Sequence, residues 1–257
     1  MKITTWNVNG LRASFKKNFF ESTASLDTDV LCLQEIKSRP EQLDKDNFEH
    51  ILQVYPHLSW NPARRPGYSG TATFSRRPPD EVQLGLGVEK FDCEGRVIAS
   101  RFGDTWLFNI YFPNGQSDLG RVPFKLEFYA RLLEICDELR AQASQVILCG
   151  DFNTAHQAID LKHPKANSGA TGFLPEERAW IDTYLGHGFV DIFRKRYPEK
   201  VEYTWWTYLS NARAHNTGWR LDYFLISPRL EERVVDVVNS TAILGSDHCP
   251  VSLTLTD

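Results

Sequence analysis

Hydrophobic and polar positions follow two rhythms along the chain. Apolar-rich runs of strand length occur at 2–8 ("KITTWNV"), 30–35 ("VLCLQE"), 71–75 ("TATFS"), 96–102 ("RVIASRF"), 106–112 ("WLFNIYF") and 145–153 ("QVILCGDFN"). Three more lie at 203–208 ("YTWWTY"), 220–227 ("RLDYFLIS") and 250–256 ("PVSLTLT"). Helical spacing falls between them. From residue 124, Leu126, Tyr129, Leu132, Leu133, Ile135, Cys136 and Leu139 recur at three- and four-residue steps and predict a helix to residue 142. A second helix opens at Pro175, which suits a first helical position, and runs to its glycine stop at Gly188. The runs at 96–102 and 106–112 read as a hairpin closed by "GDT", so the sheets are mixed. Strands outnumber helices, and the pattern predicts layered α/β with helices packed on sheets.

Composition narrows this only slightly. The chain has 257 residues, 42% hydrophobic and 24% charged, values ordinary for a folded globular protein. No Pro- or Ser-rich linker, repeat or low-complexity stretch divides it, so residues 1–257 read as one domain. The N-terminus carries Thr4, Thr5 and Asn7 where a signal peptide needs an apolar run, and no stretch reaches membrane-spanning length; a cytoplasmic monomer without membrane contact is expected. Five cysteines without CxxC spacing read as buried thiols. A net charge of -4 argues against nonspecific coating of nucleic acid, but not against an enzyme acting on it. The basic pairs Lys16-Lys17, Arg64-Arg65 and Arg76-Arg77 and the "RKR" at 194–196 are candidate local patches, or plain solvated surface.

The candidate chemistry sits at strand ends. Asn7, Gln34, Glu35, Tyr111, Asn114, Asp151, Asn153, Asp222, Asp247 and His248 all lie in or beside predicted strands. Each has a local excuse: Asn as a cap, Asp after Gly150 as a turn residue, Asp222 as partner of Arg220, and "GSDHCP" as a turn before a Pro250 that opens an edge strand. Together the excuses weaken, because buried carboxylates are costly unless paired or metal-bound. Glu35, Asp151 and Asp247, with amide oxygens, form a hard-oxygen set suited to magnesium or manganese, and zinc signatures are missing. Such a metal beside a histidine and an aspartate fits phosphodiester hydrolysis.

Taken together, "WNVNGLRA" (6–13), "LCLQEIK" (31–37), "GYSG" (67–70), "NIYFPNG" (109–115), "GDFNTAHQAIDL" (150–161), "GWRLDYFLIS" (218–227) and "GSDHCP" (245–250) resemble the exonuclease III type of apurinic/apyrimidinic endonuclease, within the endonuclease/exonuclease/phosphatase superfamily. The resemblance implies a four-layer α/β sandwich of two mixed β-sheets flanked by helices. It implies a DNA repair enzyme that cleaves 5′ to an abasic site, leaving a 3′-hydroxyl and a 5′-deoxyribose phosphate. Accompanying 3′–5′ exonuclease and 3′-phosphodiesterase activities vary within the family. By similarity, Glu35 binds Mg2+ (or Mn2+), Asn7 and Asn9 lie near metal and phosphate, and Asp247 serves a second or alternative metal position. Asp151 positions or deprotonates the attacking water with help from Asn153, both within reach of the metal. His248, oriented by Asp222, stabilises the phosphorane, and Tyr111 contacts the scissile phosphate.

The same resemblance implies double-stranded DNA containing abasic sites as partner. Asn114 and Asn167, the latter in "HPKANSGATGF" (163–173), would contact DNA; Trp205 and Trp219 would wall the abasic pocket, and Leu209 would wedge into the duplex. Trp206 reads as plain core. A superfamily phosphohydrolase acting on another substrate is the competing reading, and a DNA-binding module with a dead site a third.

Overall fold

The computed structural model describes residues 1–256. Its strands are β1 (Lys2–Asn7), β2 (Val30–Gln34), β3 (His57–Asn61), β4 (Thr71–Ser75), β5 (Glu81–Leu84) and β6 (Val97–Phe102), then β7 (Thr105–Tyr111), β8 (Gln145–Asp151), β9 (Val190–Asp191), β10 (Asp222–Ile226), β11 (Val234–Asn239) and β12 (Val251–Leu255). The α-helices are α1 (Leu11–Phe15), α2 (Phe19–Leu26), α3 (Lys45–Val54), α4 (Glu89–Asp92), α5 (Val122–Ala141), α6 (Pro175–Gly186) and α7 (Ile192–Arg196).

The strands form two six-stranded mixed sheets, ordered β11-β12-β1-β2-β4-β3 and β5-β6-β7-β8-β10-β9. Each sheet has one parallel pair near its centre, β1 with β2 and β7 with β8. Inner-face residues Ile3, Val30, Cys32 and Leu253 of the first sheet meet Leu107, Ile147, Cys149 and Phe224 of the second. Helix α5 packs Phe128, Leu132 and Cys136, and α6 packs Ile181 and Tyr184, on the outside of the second sheet; Phe19 of α2 and Ile51 of α3 cover Leu31, Leu33 and Phe74 of the first. The result is the expected four-layer α/β sandwich. Truncating any one of these buried leucines to alanine costs about 2–5 kcal/mol.

Topology explains where the polar strand ends go. The C-terminal ends of the two parallel pairs bring Asn7 opposite Gln34 and Tyr111 opposite Asp151. Strand β10 runs antiparallel to β8, so its first residue, Asp222, pairs with the last residue of β8, Asp151. Strand β12 runs antiparallel to β1 and starts just after His248, which brings that loop to the same end. Ligand crevices form outside the carboxyl ends of parallel strands, and here both sheets open one on the same edge.

Several expectations need correction. Residues 203–208 are not a strand: Trp205 makes only isolated bridges to Trp219 and His248. Pro250 does not open an edge strand, because β12 lies between β11 and β1. Cys93 is half-buried, while the other four thiols are buried as expected. Gln34 turns away from the crevice: its Nε2 donates to Asn109 Oδ1 at 2.7 Å and Thr5 Oγ1 at 2.8 Å, tying the two sheets together.

Candidate active site

At the open edge lies a cavity of about 400 Å³ lined by Glu35, Tyr111, Asn114, Asp151, Asn153, Thr171, Gly172, Trp205, Trp219, Leu221, Asp247 and His248. Two local backbone features aim Asp151 and His248 into it. At Gly150, next to Asp151, φ is 136° and a Cβ would sit 1.9 Å from the Ile110 carbonyl oxygen, so only glycine lets β7 and β8 approach this closely. The loop before β12 turns at Gly245 (φ 116°) and is lashed down by Ser246 Oγ donating to Asn7 O at 2.7 Å and Trp6 Nε1 donating to His248 O at 3.2 Å.

The side-chain amide of Asn7 organises the acids. Its Nδ2 donates to Glu35 Oε1 and to Asp151 Oδ2, each at 2.9 Å, and so draws two carboxylates from different sheets around one nitrogen. Asn153 holds the other side of Asp151, its backbone N–H donating to Oδ1 at 2.8 Å. Opposite, His248 Nδ1 lies 2.8 Å from Asp222 Oδ2, and its Nε2 lies 3.7 Å from Asp151 Oδ2. Asp222 is thus the partner of His248 and not of Arg220, whose guanidinium is held by Asp160 and Asp191.

Burial and charge set the protonation states. Burial alone would strip the His248 proton, but Asp222 and Asp151 outweigh it and raise the imidazole to about 10. The ring is therefore cationic at neutral pH. Burial pushes Asp151 up to about 7, against the pull of the His248 charge. Glu35 goes the other way: burial would raise it, yet Lys37, 2.8 Å away, and the Asn7 hydrogen bond hold it below the ordinary carboxylate value. Tyr111 is pushed well above its ordinary value by burial and then by Glu35, so its hydroxyl keeps its proton.

Which groups could hold a metal follows from these contacts. Asp151, Asp222 and His248 offer ligand atoms within 4.8 Å of one another. A cationic imidazole engaged to Asp222 is nevertheless a poor ligand. Glu35 and Asp151, brought to one amide, supply the hard oxygens that magnesium favours, with an open cavity for water and phosphate. Asp247 also lines the cavity: its Oδ1 accepts from Asn9 Nδ2 at 3.0 Å and Ser246 Oγ at 3.1 Å, and Oδ2 from Trp205 Nε1 at 3.1 Å. Asn9 in turn accepts from Lys37 Nζ at 2.5 Å.

Of the residues expected to meet DNA, Asn114, Trp205 and Trp219 line the cavity. Leu209 stands 73% exposed at its own turn. Asn167 is outside the lining, its Nδ2 bonded to His163 O at 2.8 Å. Trp206 lies in a small core with Tyr203, Ala212 and Cys249, as expected. Sequence reasoning missed Leu221, Thr171 and Gly172 in the lining and Lys37 on Glu35. Leu221 had a signal, its place between Trp219 and Asp222; Thr171 and Gly172 had none beyond belonging to the 163–173 loop.

Residues 4–248 match the Endonuclease/Exonuclease/phosphatase family. The chain is 44% identical over 255 residues to the exodeoxyribonuclease of Bacillus subtilis (strain 168), covering 98% of each protein. It is 43% identical over 257 residues to the DNA repair nuclease APEX1 of Danio rerio, covering 99% of this chain and 82% of that protein. Among solved structures, an AP endonuclease from Archaeoglobus fulgidus superposes with a TM-score of 0.89 at 29% identity, covering all of both chains. A variant of the 3′ phosphatase NExo from Neisseria, bound to product DNA hairpin, superposes with a TM-score of 0.87 at 29% identity, again over both whole chains.

Proposed function

This chain belongs to the endonuclease/exonuclease/phosphatase family, and on that premise we propose that it is a DNA repair nuclease hydrolysing the phosphodiester 5′ to an abasic site. The observation that carries the reading is the packing of Asn7, Glu35 and Asp151 directly against the His248–Asp222 pair, His248 Nε2 lying 3.7 Å from Asp151 Oδ2, beside a wall of Trp205, Trp219 and Leu221. A sugar without its base fits such an apolar wall, whereas a normal nucleotide must first be unstacked and then accommodated.

Glu35 and Asp151 would hold a divalent cation, magnesium in our reading, which when bound would offset the phosphate charge and stabilise the leaving oxygen. The protein's own groups do the rest. Asp151, fixed by Asn7 and Asn153, orients the attacking water and accepts its proton. His248, kept cationic by Asp222, stabilises the charge that builds on the pentacovalent phosphorus. The phosphorus–3′-oxygen bond breaks and the departing oxygen takes a proton from solvent water, leaving a 3′-hydroxyl and a 5′-deoxyribose phosphate. Tyr111, whose raised pKa makes it a poor acid, serves as a hydrogen-bond donor to a phosphate oxygen. Asn114 reaches the same phosphate from the cavity rim, donating meanwhile to Asn153 Oδ1 at 3.1 Å.

A labelled duplex with one tetrahydrofuran abasic analogue, run beside an intact duplex with magnesium or with chelator, tests this directly. A single incision 5′ to the analogue, only with metal, is expected. Progressive shortening of both duplexes would make the enzyme chiefly a 3′–5′ exonuclease, and phosphate release from small phosphate esters with DNA intact would overturn the reading.

A further inference from the structure

Helices α5 and α6 each bury one charged side chain completely, Lys125 and Glu177, with Nζ and Oε1 2.7 Å apart. Neither residue lines the cavity. Their remaining hydrogen bonds go to the backbone and side chains of the two loops that do. Lys125 Nζ donates to the Asn153 carbonyl at 2.6 Å. Glu177 accepts from Thr171 Oγ1 at 3.0 Å, from the Gly172 N–H at 2.5 Å and from the Leu174 N–H at 3.2 Å. Thr171 Oγ1 in turn accepts from the Gly115 N–H at 3.1 Å, which brings in the loop after β7.

A helix cap explains only a little of this. Glu177 is the third residue of α6, so its bond to the Leu174 N–H is ordinary capping. Capping does not call for a buried lysine, nor for that lysine to hold the carbonyl of Asn153, which sits in the left-handed region at φ 49°. A buried ion pair is also weak evidence for stability as such, since apolar residues of the same volume often serve as well. What the pair does, and apolar residues would not, is grip polar backbone atoms. With Lys125 in place, Asn153 has its carbonyl held, its N–H on Asp151, its Nδ2 on Phe112 O at 2.8 Å and its Oδ1 receiving Asn114.

We propose that Lys125 and Glu177 are positioning residues that clamp the Asn153 turn to the Thr171–Leu174 rim, holding the groups that direct the attacking water and the rim facing the displaced sugar as one rigid body. The proposal rests on the nuclease reading above for what the rigidity is used for. Its physical basis is general: displacing a catalytic group by about 1 Å can cost about 10²-fold in rate.

The test uses the full chain with Lys125→Met and Glu177→Gln combined, which removes both charges together and leaves neither buried alone. Amide hydrogen exchange is followed at residues 153–155 and 172–174 and in β8. Single-turnover incision of the abasic duplex is measured alongside, separating kcat from KM. We expect faster exchange in the two loop segments with β8 unchanged, and kcat lower by about 10- to 100-fold with KM altered by no more than about threefold. Unchanged loop exchange, a uniform rise that includes β8, or a loss confined to KM would overturn the clamp. Should the double variant not fold, Thr171→Val breaks the Gly115–Glu177 link without touching a charge; a smaller kcat loss that Thr171→Ser restores is expected, and no loss counts against the proposal. The exchange measurement needs no substrate, so a wild-type protein that leaves DNA uncut would sink the nuclease reading while the clamp is still judged by itself.

Discussion

In the proposed reaction three side chains divide the chemistry, and their surroundings predict how each loss will read. His248 carries its charge because Asp222 lies 2.8 Å from Nδ1, and Asp151 is set between Asn7 and Asn153 to face water. On the proposed mechanism all three act on charge that develops during reaction more than on the bound ground state, so Asp151→Asn, His248→Asn and Asp222→Asn should lower kcat by about 10²- to 10⁴-fold. Affinity for the abasic duplex should change far less; losses seen only in a binding titration, with single-turnover rates intact, would show these roles to be wrong. Glu35, Asp151, Asp222, Asp247 and His248 were legible in the sequence because polar residues at the ends of apolar strands need a reason. The partnership of Arg220 was not legible: strand alternation would put it on the same face as Asp222, two residues on, but Arg220 lies ahead of β10 and its guanidinium goes to Asp160 and Asp191 instead.

At the scale of elements, that Arg220 cluster fixes where β10 begins. Arg220 Nε lies 2.7 Å from Asp160 Oδ1 and Nη2 lies 2.8 Å from Asp191 Oδ2, while Arg194 reaches Asp160 at 2.5 Å, so the short 158–160 turn, β9 and α7 are joined just ahead of Asp222. Burial would raise the Asp160 carboxyl, but Arg220 and Arg194 overcome it and lower it to about 2. Because the folded pKa lies below the unfolded one, this contribution, on the order of 2 kcal/mol, is full above about pH 4 and is lost as pH falls toward 2. Asp160→Asn should destabilise the protein by about 3 kcal/mol in urea unfolding at neutral pH and flatten the fall in stability between pH 4 and 2; an equally steep acid limb in the variant would exclude Asp160 as its source. The strands that sequence reasoning found and missed divide by position in the sheets. The missed strands β3, β5, β9 and β11 are the four sheet edges. An edge strand has one partner and an exposed side, which leaves its composition unconstrained: all four residues of β5 are exposed and β9 has only two residues. The opposite error, reading 203–208 as a strand, arose because its aromatics are held for the cavity wall and a small core while its backbone bonds are split between Trp219 and the 247–249 segment and extend into no ladder.

For the molecule as a whole, the question is how a chain of net charge -4 approaches a polyanion. The basic pairs that stand out in the sequence are mostly answered within the fold. Arg64 pairs with Glu89, Arg76 with Asp27, Arg194 with Asp160 and Lys195 with Glu231. Lys16 and Lys17, exposed just after α1, differ: Lys17 Nζ donates to the Gly245 carbonyl at 2.7 Å, on the loop that delivers Asp247 and His248 to the cavity. Cation placement relative to the cavity therefore matters more than net charge, and nothing in residue spacing distinguishes one basic pair from another before the chain is folded. Each phosphate neutralised releases counterions, so the logarithm of the association constant should fall with the logarithm of salt concentration by about 0.9 per contact. We expect a slope of several units for the wild-type protein on abasic duplex, made shallower by about one to two units in Lys16→Ala/Lys17→Ala, with affinity for abasic and intact duplexes lowered alike. Arg64→Ala, which frees only an exposed ion pair, should leave the slope where it was. A flat salt response in fluorescence anisotropy titrations of the wild type would contradict DNA as the partner, and an unchanged slope in the double-lysine variant would move the electrostatic footprint away from the α1 end of the cavity.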